Sequence, residues 1–179
     1  NGWLKEHGLI DPIVGHYLKG DSNIENYKSW EQPSIAKDGF ELLEIGVRRK
    51  GGDYSDIMRV DNDLELVIRY RLTRHFPQLH LTFHVKNESG ERIFSTSGGG
   101  RCIDYDHPSG EVGHIPADFF NWGSFAVDLF VVVDRKNAII VENDLATFTL
   151  VNREQAIGTW MGREPGDITP KFNYTENKL

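Results

Sequence analysis

Three stretches of the chain carry the side chains best suited to chemistry. In Gln78 to Lys86, the polar residues His80, Thr82, His84 and Lys86 alternate with Leu79, Leu81, Phe83 and Val85. In Asn62 to Thr73, Arg69 and Arg71 alternate with Ile68, Tyr70 and Leu72. In Ser124 to Asp134, Asp128 and Phe130 are in phase with Ala126 and Val132, opposite Phe125, Val127, Leu129 and Val131. A period of two places each polar set on one side of a strand. Arg69, Arg71, His80, Thr82, His84, Asp128 and Phe130 are therefore expected to make up one outward face. Planar hydrogen-bonding groups beside an exposed aromatic suit a carbohydrate, whose hydroxyls need paired donors and acceptors and whose C–H faces stack on rings. The plain alternative is the ordinary solvated face of a sheet.

Other chemistries lack their anchors. A phosphate-cradling loop needs G-x-x-x-x-G-K-[ST], and the nearest Gly-rich run, Gly98-Gly99-Gly100-Arg101, has no Lys and no following amphipathic helix. Neither a G-x-S-x-G elbow nor an H-E-x-x-H pair occurs. His80 and His84 share a face, but four strand residues separate them by about 13 Å, too far for one ion bound at about 2 Å. No metal or other cofactor is expected. Paired carboxylates across a cleft would suit a glycosidase, but the spacing in sequence pairs none of them. Asp128 stands alone among apolar neighbours and must point away from the core or be paired.

The elements that must position these residues are mostly strands. Phe40 to Arg49 offers Leu43, Ile45 and Val47 on one face, and Asn62 to Thr73 and Gln78 to Lys86 follow. Asn87-Glu88-Ser89-Gly90-Glu91 reads as a hairpin turn leading into Arg92 to Ser97. Glu111 to Ile115, Ser124 to Asp134, Asn137 to Glu142 and Thr147 to Asn152 complete about seven or eight strands. Ahead of them, Asp11 to Gly20 has an N-cap candidate, Pro at the first helical position and apolar residues at 13, 14, 17 and 18, the pattern of a short helix. Residues 21 to 38 read as a polar linker. The fold class is all-β, an immunoglobulin-like antiparallel β-sandwich with a short N-terminal helix, although alternation alone does not separate a sandwich from a jelly roll.

The chain has 179 residues, 20 Lys and Arg against 27 Asp and Glu, and a formal net charge of −7. That balance argues against nucleic acid as the partner. One cysteine, Cys102, makes no intrachain disulfide, which fits a reducing compartment. The longest apolar run, Phe125 to Val133, is interrupted by Asp128 and falls short of the ~20 residues a spanning helix needs. A start at Asn1 with no signal-peptide pattern is read as a fragment of a longer protein.

Several segments together resemble a known family. The run Gly8-Leu9-Ile10-Asp11-Pro12-Ile13-Val14-Gly15-His16-Tyr17-Leu18 is similar to the tail that ends the nucleotide-binding domain of polysaccharide-exporting ABC transporters. Met58 to Tyr70, Phe83 to Thr96, Gly158-Thr159-Trp160 and Pro165-Gly166-Asp167-Ile168 resemble the C-terminal carbohydrate-binding domain of their ATP-binding proteins, the Wzt type. The resemblance implies that residues 1–38 are a helical stub and linker from an upstream ATPase domain and 39–179 the carbohydrate-binding sandwich. It implies non-catalytic recognition of the non-reducing terminus of a lipid-linked O-antigen polysaccharide, which licenses export. The implied partners are this glycan, the upstream ATPase domain, a membrane transporter subunit, and a second copy joined by exchange of a C-terminal strand, for which Lys171-Phe172-Asn173-Tyr174 is suited. The implied location is cytoplasmic, at the inner-membrane face. Asp118-Phe119-Phe120-Asn121-Trp122 departs from the Leu/Pro-rich stretch expected there. Two other classes stay open, a glycan-modifying enzyme on a β-sandwich and a structural dimerisation domain.

Overall fold

A computed structural model describes residues 26–99, 107–154 and 162–171. The helix expected at 11–20, the Gly158-Thr159-Trp160 motif and the tail beyond Lys171 lie outside the described residues. Among the described residues ten strands follow in order: β1 Tyr27–Ser29, β2 Ala36–Lys37, β3 Phe40–Arg49, β4 Met58–Arg59, β5 Leu64–Leu72, β6 Leu79–Asn87, β7 Arg92–Gly99, β8 Pro108–Ile115, β9 Gly123–Val133 and β10 Asn137–Val151. One sheet runs β1-β3-β5-β8 with β2 also on β3, and the other runs β4-β10-β9-β6-β7. The pairs among these strands are antiparallel except the two-residue pairing of β4 with β10. The order β3-β5-β8 facing β10-β9-β6-β7 is the A-B-E and G-F-C-C′ arrangement of the immunoglobulin sandwich. No described residue is helical.

Strand alternation builds the core. Leu64, Leu66, Ile68, Tyr70 and Leu72 of β5 face Leu79, Leu81, Phe83 and Val85 of β6 and Phe125, Val127, Leu129 and Val131 of β9 across the sandwich, and all are buried. Each such side chain contributes about 1.5–3 kcal/mol when fully buried. Phe120, Phe125 and Phe148 close one end, with ring centroids 4.6 to 5.7 Å apart.

At several places the structure departs from simple alternation. A bulge between Leu42 and Glu44 shifts the phase of β3, so Phe40, Leu42, Ile45 and Val47 face inward and Leu43 does not. The segment read as a linker contains β1 and β2, which pair with β3 and bring Trp30 and Ile35 against the core; runs of two or three residues are too short to show a period. The two strands expected at 137–142 and 147–152 are one strand, β10, with register shifts between Ala138 and Ile140 and between Glu142 and Ala146. The gap between the two expected strands holds a bulge, with Asp144 at φ 51°.

The segment 162–171 is fastened to the loop before β9 by one buried amide. Asn121, 6% exposed, donates from Nδ2 to the carbonyls of Glu164 and Gly166 at 2.6 and 3.1 Å, and its Oδ1 accepts from Trp122 N at 2.9 Å. Main-chain bonds from Asn121 to Asp167 and from Thr169 to Phe119, both 2.9 Å, continue the seam. Asn121→Ala leaves those carbonyls without their donor and is expected to cost about 2 kcal/mol. A lower urea midpoint and faster hydrogen exchange at the Thr169 amide are the measurements; an unchanged midpoint would remove Asn121 from this role.

Candidate functional site

The seven outward residues do not form one face. Arg69 and Arg71 belong to β5, in the first sheet, whereas His80, Thr82, His84, Asp128 and Phe130 belong to β6 and β9, in the second. Because the sheets meet through their apolar sides, their outer faces lie on opposite sides of the sandwich. Both arginines are also engaged across strands, Arg69 Nη1 with Glu44 Oε2 at 3.2 Å and Arg71 Nη1 with Glu41 Oε2 at 3.3 Å, next to the Arg48–Glu65 pair at 3.0 Å. Opposed charges at directly facing positions are a stabilising device of the sheet. The expectation of a single face is corrected on this point.

On the second sheet the other five come together. Register places Thr82 opposite Phe130, His84 opposite Asp128 and His80 opposite Val132 on β9, and places Ser97, Ser95 and Gly99 opposite the same three residues on β7. Each row therefore runs across three strands on one outer face. The His84 and Phe130 rings pack with centroids 4.3 Å apart at 42°. Thr82 Oγ1 and Ser97 Oγ share a hydrogen bond at 3.2 Å. Val141 of β10, opposite Phe130 and 48% exposed, extends the apolar strip. His80 contributes less, since its Nε2 is buried and meets no partner among the described residues.

His84 is electrostatically poised. Burial first, then the Arg92 guanidinium, whose Nη1 is 3.5 Å from both ring nitrogens, and more weakly Lys86 hold its pKa below the usual histidine range, with Asp128 opposing. Near neutral pH the ring is uncharged, with one nitrogen a donor and the other an acceptor, the pairing a sugar hydroxyl calls for.

Asp128 has another task. It is 4% exposed and accepts from Lys86 Nζ at 2.7 Å and from the Asp144 main-chain N at 2.8 Å. Lys86 Nζ also reaches Asp144 Oδ1 at 2.8 Å. Burial disfavours the Lys86 charge, but hydrogen bonds to the two carboxylates outweigh it and raise its pKa. The carboxylate thus holds the β10 bulge and one cation beneath the face. It is not free for a ligand.

Sequence reasoning missed Ser95, Ser97 and Arg92, which complete the face from β7, and Val141. Their signal was present in Arg92 to Ser97, but the pairing that sets them beside Thr82 and His84 is a property of the folded sheet. Among the described residues no group of three or more His, Cys, Asp or Glu could hold a metal ion, and no helix is long and apolar enough to cross a membrane.

The fold and this surface define a class, an immunoglobulin-like β-sandwich carrying a mixed aromatic and polar face on its G-F-C-C′ sheet. No protein-family model matches the chain, and no curated protein matches it. Among solved structures it is similar to the one described as "Crystal structure of the C-terminal domain of wzt", with a TM-score of 0.60 at 13% identity, over 95% of this chain and 98% of that one. The likeness is one of fold, and the fold is that of the wzt C-terminal domain.

Asp128→Ala is expected to destabilise the chain by about 2 kcal/mol, because it strips Lys86 and the Asp144 amide of a buried acceptor. Lys86 keeps Asp144, which limits the loss. Chemical denaturation measures it, and a variant as stable as the parent would show that the bulge does not depend on Asp128.

Proposed function

We propose that the chain is a non-catalytic glycan-recognition module that binds the non-reducing end of a lipid-linked O-antigen polysaccharide for an ABC exporter. The observation that carries the reading is the His84–Phe130 ring pair, with Thr82 and Ser97 in the row of Phe130 and Ser95 in the row of His84. Phe130 supplies a surface for a sugar C–H face, and neutral His84 and the hydroxyls supply donors and acceptors. The similarity of fold to the wzt C-terminal domain and the sequence resemblance to such domains support the same assignment. In this reading the module works beside an upstream ATPase domain and a membrane subunit, on the cytoplasmic side of the inner membrane. Pairing of two copies through the C-terminal strand would let two weak sites act together.

The test is retention of purified O-antigen polysaccharide from the source strain. Phe130→Ala is expected to weaken binding about tenfold, the loss of one ring contact with its buried area. Arg69→Ala and Arg71→Ala, on the opposite side of the sandwich, leave binding unchanged. If the arginine variants lose binding and Phe130→Ala keeps it, the site lies on the other sheet. A change in glycan mass on incubation would instead identify an enzyme.

A pH profile gives a second test. Protonating His84 removes its acceptor and sets a positive ring against Arg92. Because the folded-state pKa lies below the usual 6.5, binding is expected to hold through neutral pH and to fall only as the pH drops below 6.5 through that lowered value. His84→Gln abolishes the acid limb. A profile identical in both proteins would exclude His84 from the contact.

A further inference from the structure

A depression lies on the same outer face, toward the β6–β7 hairpin. Its volume is ≈ 540 Å³, and Lys86, Ser89, Ser124, Ala126, Asp144 and Thr147 are among its lining residues. Register explains the depression: Ala126 stands between Lys86 on β6 and Thr147 on β10, one short side chain between two longer ones. The hairpin makes one wall. It is held by Asn87, whose Oδ1 accepts from Glu91 N at 2.9 Å and whose Nδ2 donates to Asp167 Oδ2 at 2.9 Å. The bulge makes the facing wall, where the Asp144 carboxylate is 62% exposed while its main-chain N is tied to Asp128.

The lining matches a saccharide. Ser89 and Thr147 carry hydroxyls, Asp144 is an exposed acceptor, and the Lys86 ammonium already has two carboxylate partners. Hydroxyls and a carboxylate suit a neutral polyhydroxyl ligand better than an anion, which Asp144 would repel. The volume falls in the range of small-molecule sites. The depression is also collinear with the first site, since Phe130 and Ala126 lie four residues apart on β9, about 13 Å at the rise of a strand.

We propose that this depression is a second sugar subsite, so that the face reads a short run of a glycan chain, with the Phe130 end and the Ala126 end occupied by different residues of one chain. The inference rests on the glycan-recognition reading of the Phe130 face. It adds that affinity depends on chain length and that specificity includes sugars behind the terminus.

The experiment uses O-antigen polysaccharide from the source strain, partially hydrolysed and separated by size, titrated into the ¹⁵N-labelled protein. Short fragments are expected to shift the amides of Thr82, Ser95 and Phe130. Longer fragments should shift Ser89, Ala126 and Thr147 as well and bind about tenfold tighter, the yield of one or two further hydrogen bonds. Ala126→Trp, which fills the depression, is expected to abolish that gain while leaving short-fragment affinity unchanged. Equal affinity for short and long fragments, with no shifts at Ala126, would overturn the second subsite and leave the first standing. No shift with any fragment would overturn the glycan reading itself. The shift map does not depend on the variant, so a poorly folded Ala126→Trp would not rescue the proposal.

Discussion

Two sheets that must hide their apolar sides against each other set every other feature of this molecule. On β6, Leu79, Leu81, Phe83 and Val85 enter the space between the sheets, and each is no more than 5% exposed. A slip of one residue would turn all four into solvent at a cost of about 6–12 kcal/mol, comparable to the whole stability of a domain. The register of β6 with β7 and β9 is locked for that reason. A locked register brings Thr82, His84, Phe130, Ser95 and Ser97 together with no need for contacts among themselves.

One residue uses this frame differently. Asp128 takes an outward position in the most apolar strand and is buried all the same, because Lys86 and the Asp144 amide close over it. A buried carboxylate is tolerable only when it is paired and hydrogen-bonded, and both conditions are met by groups outside its own strand. The same contacts hold the bulge of β10 at Asp144, which raises a wall beside Ala126. The shape of the outer face is thus tied to an ion pair beneath it. His84 lies directly opposite Asp128, yet burial and Arg92 prevail and keep the ring neutral.

Much of this was legible in the amino-acid order. The inward sets of β5, β6 and β9 match the period-two pattern residue for residue, and the hairpin after Asn87 lies where its turn residues placed it. What escaped had physical causes. A bulge moved Leu43 out of phase, since one inserted residue inverts everything on one side of it. β1 and β2 are too short to show a period, and the bulge after Glu142 interrupts the alternation of β10 without ending the strand. Arg69 and Arg71 share the outward phase of the histidines, but a sandwich has two outer faces and β5 lies in the other sheet.

The sequence by itself determined the all-β class, the strands and which side of each one meets the core, because a side-chain period of two is a local property of an extended chain. It also specified the side-chain chemistry on offer: imidazole, hydroxyl and an outward phenyl ring. Only the tertiary structure decided which strands are neighbours, and with that which outward residues share a surface. Alternation tells in from out, but sheet membership arises from pairing between residues far apart in sequence. That pairing set the arginines against Glu41 and Glu44 on one side, gathered His84 and Phe130 with the β7 serines on the other, and turned a lone aspartate into the anchor of the bulge.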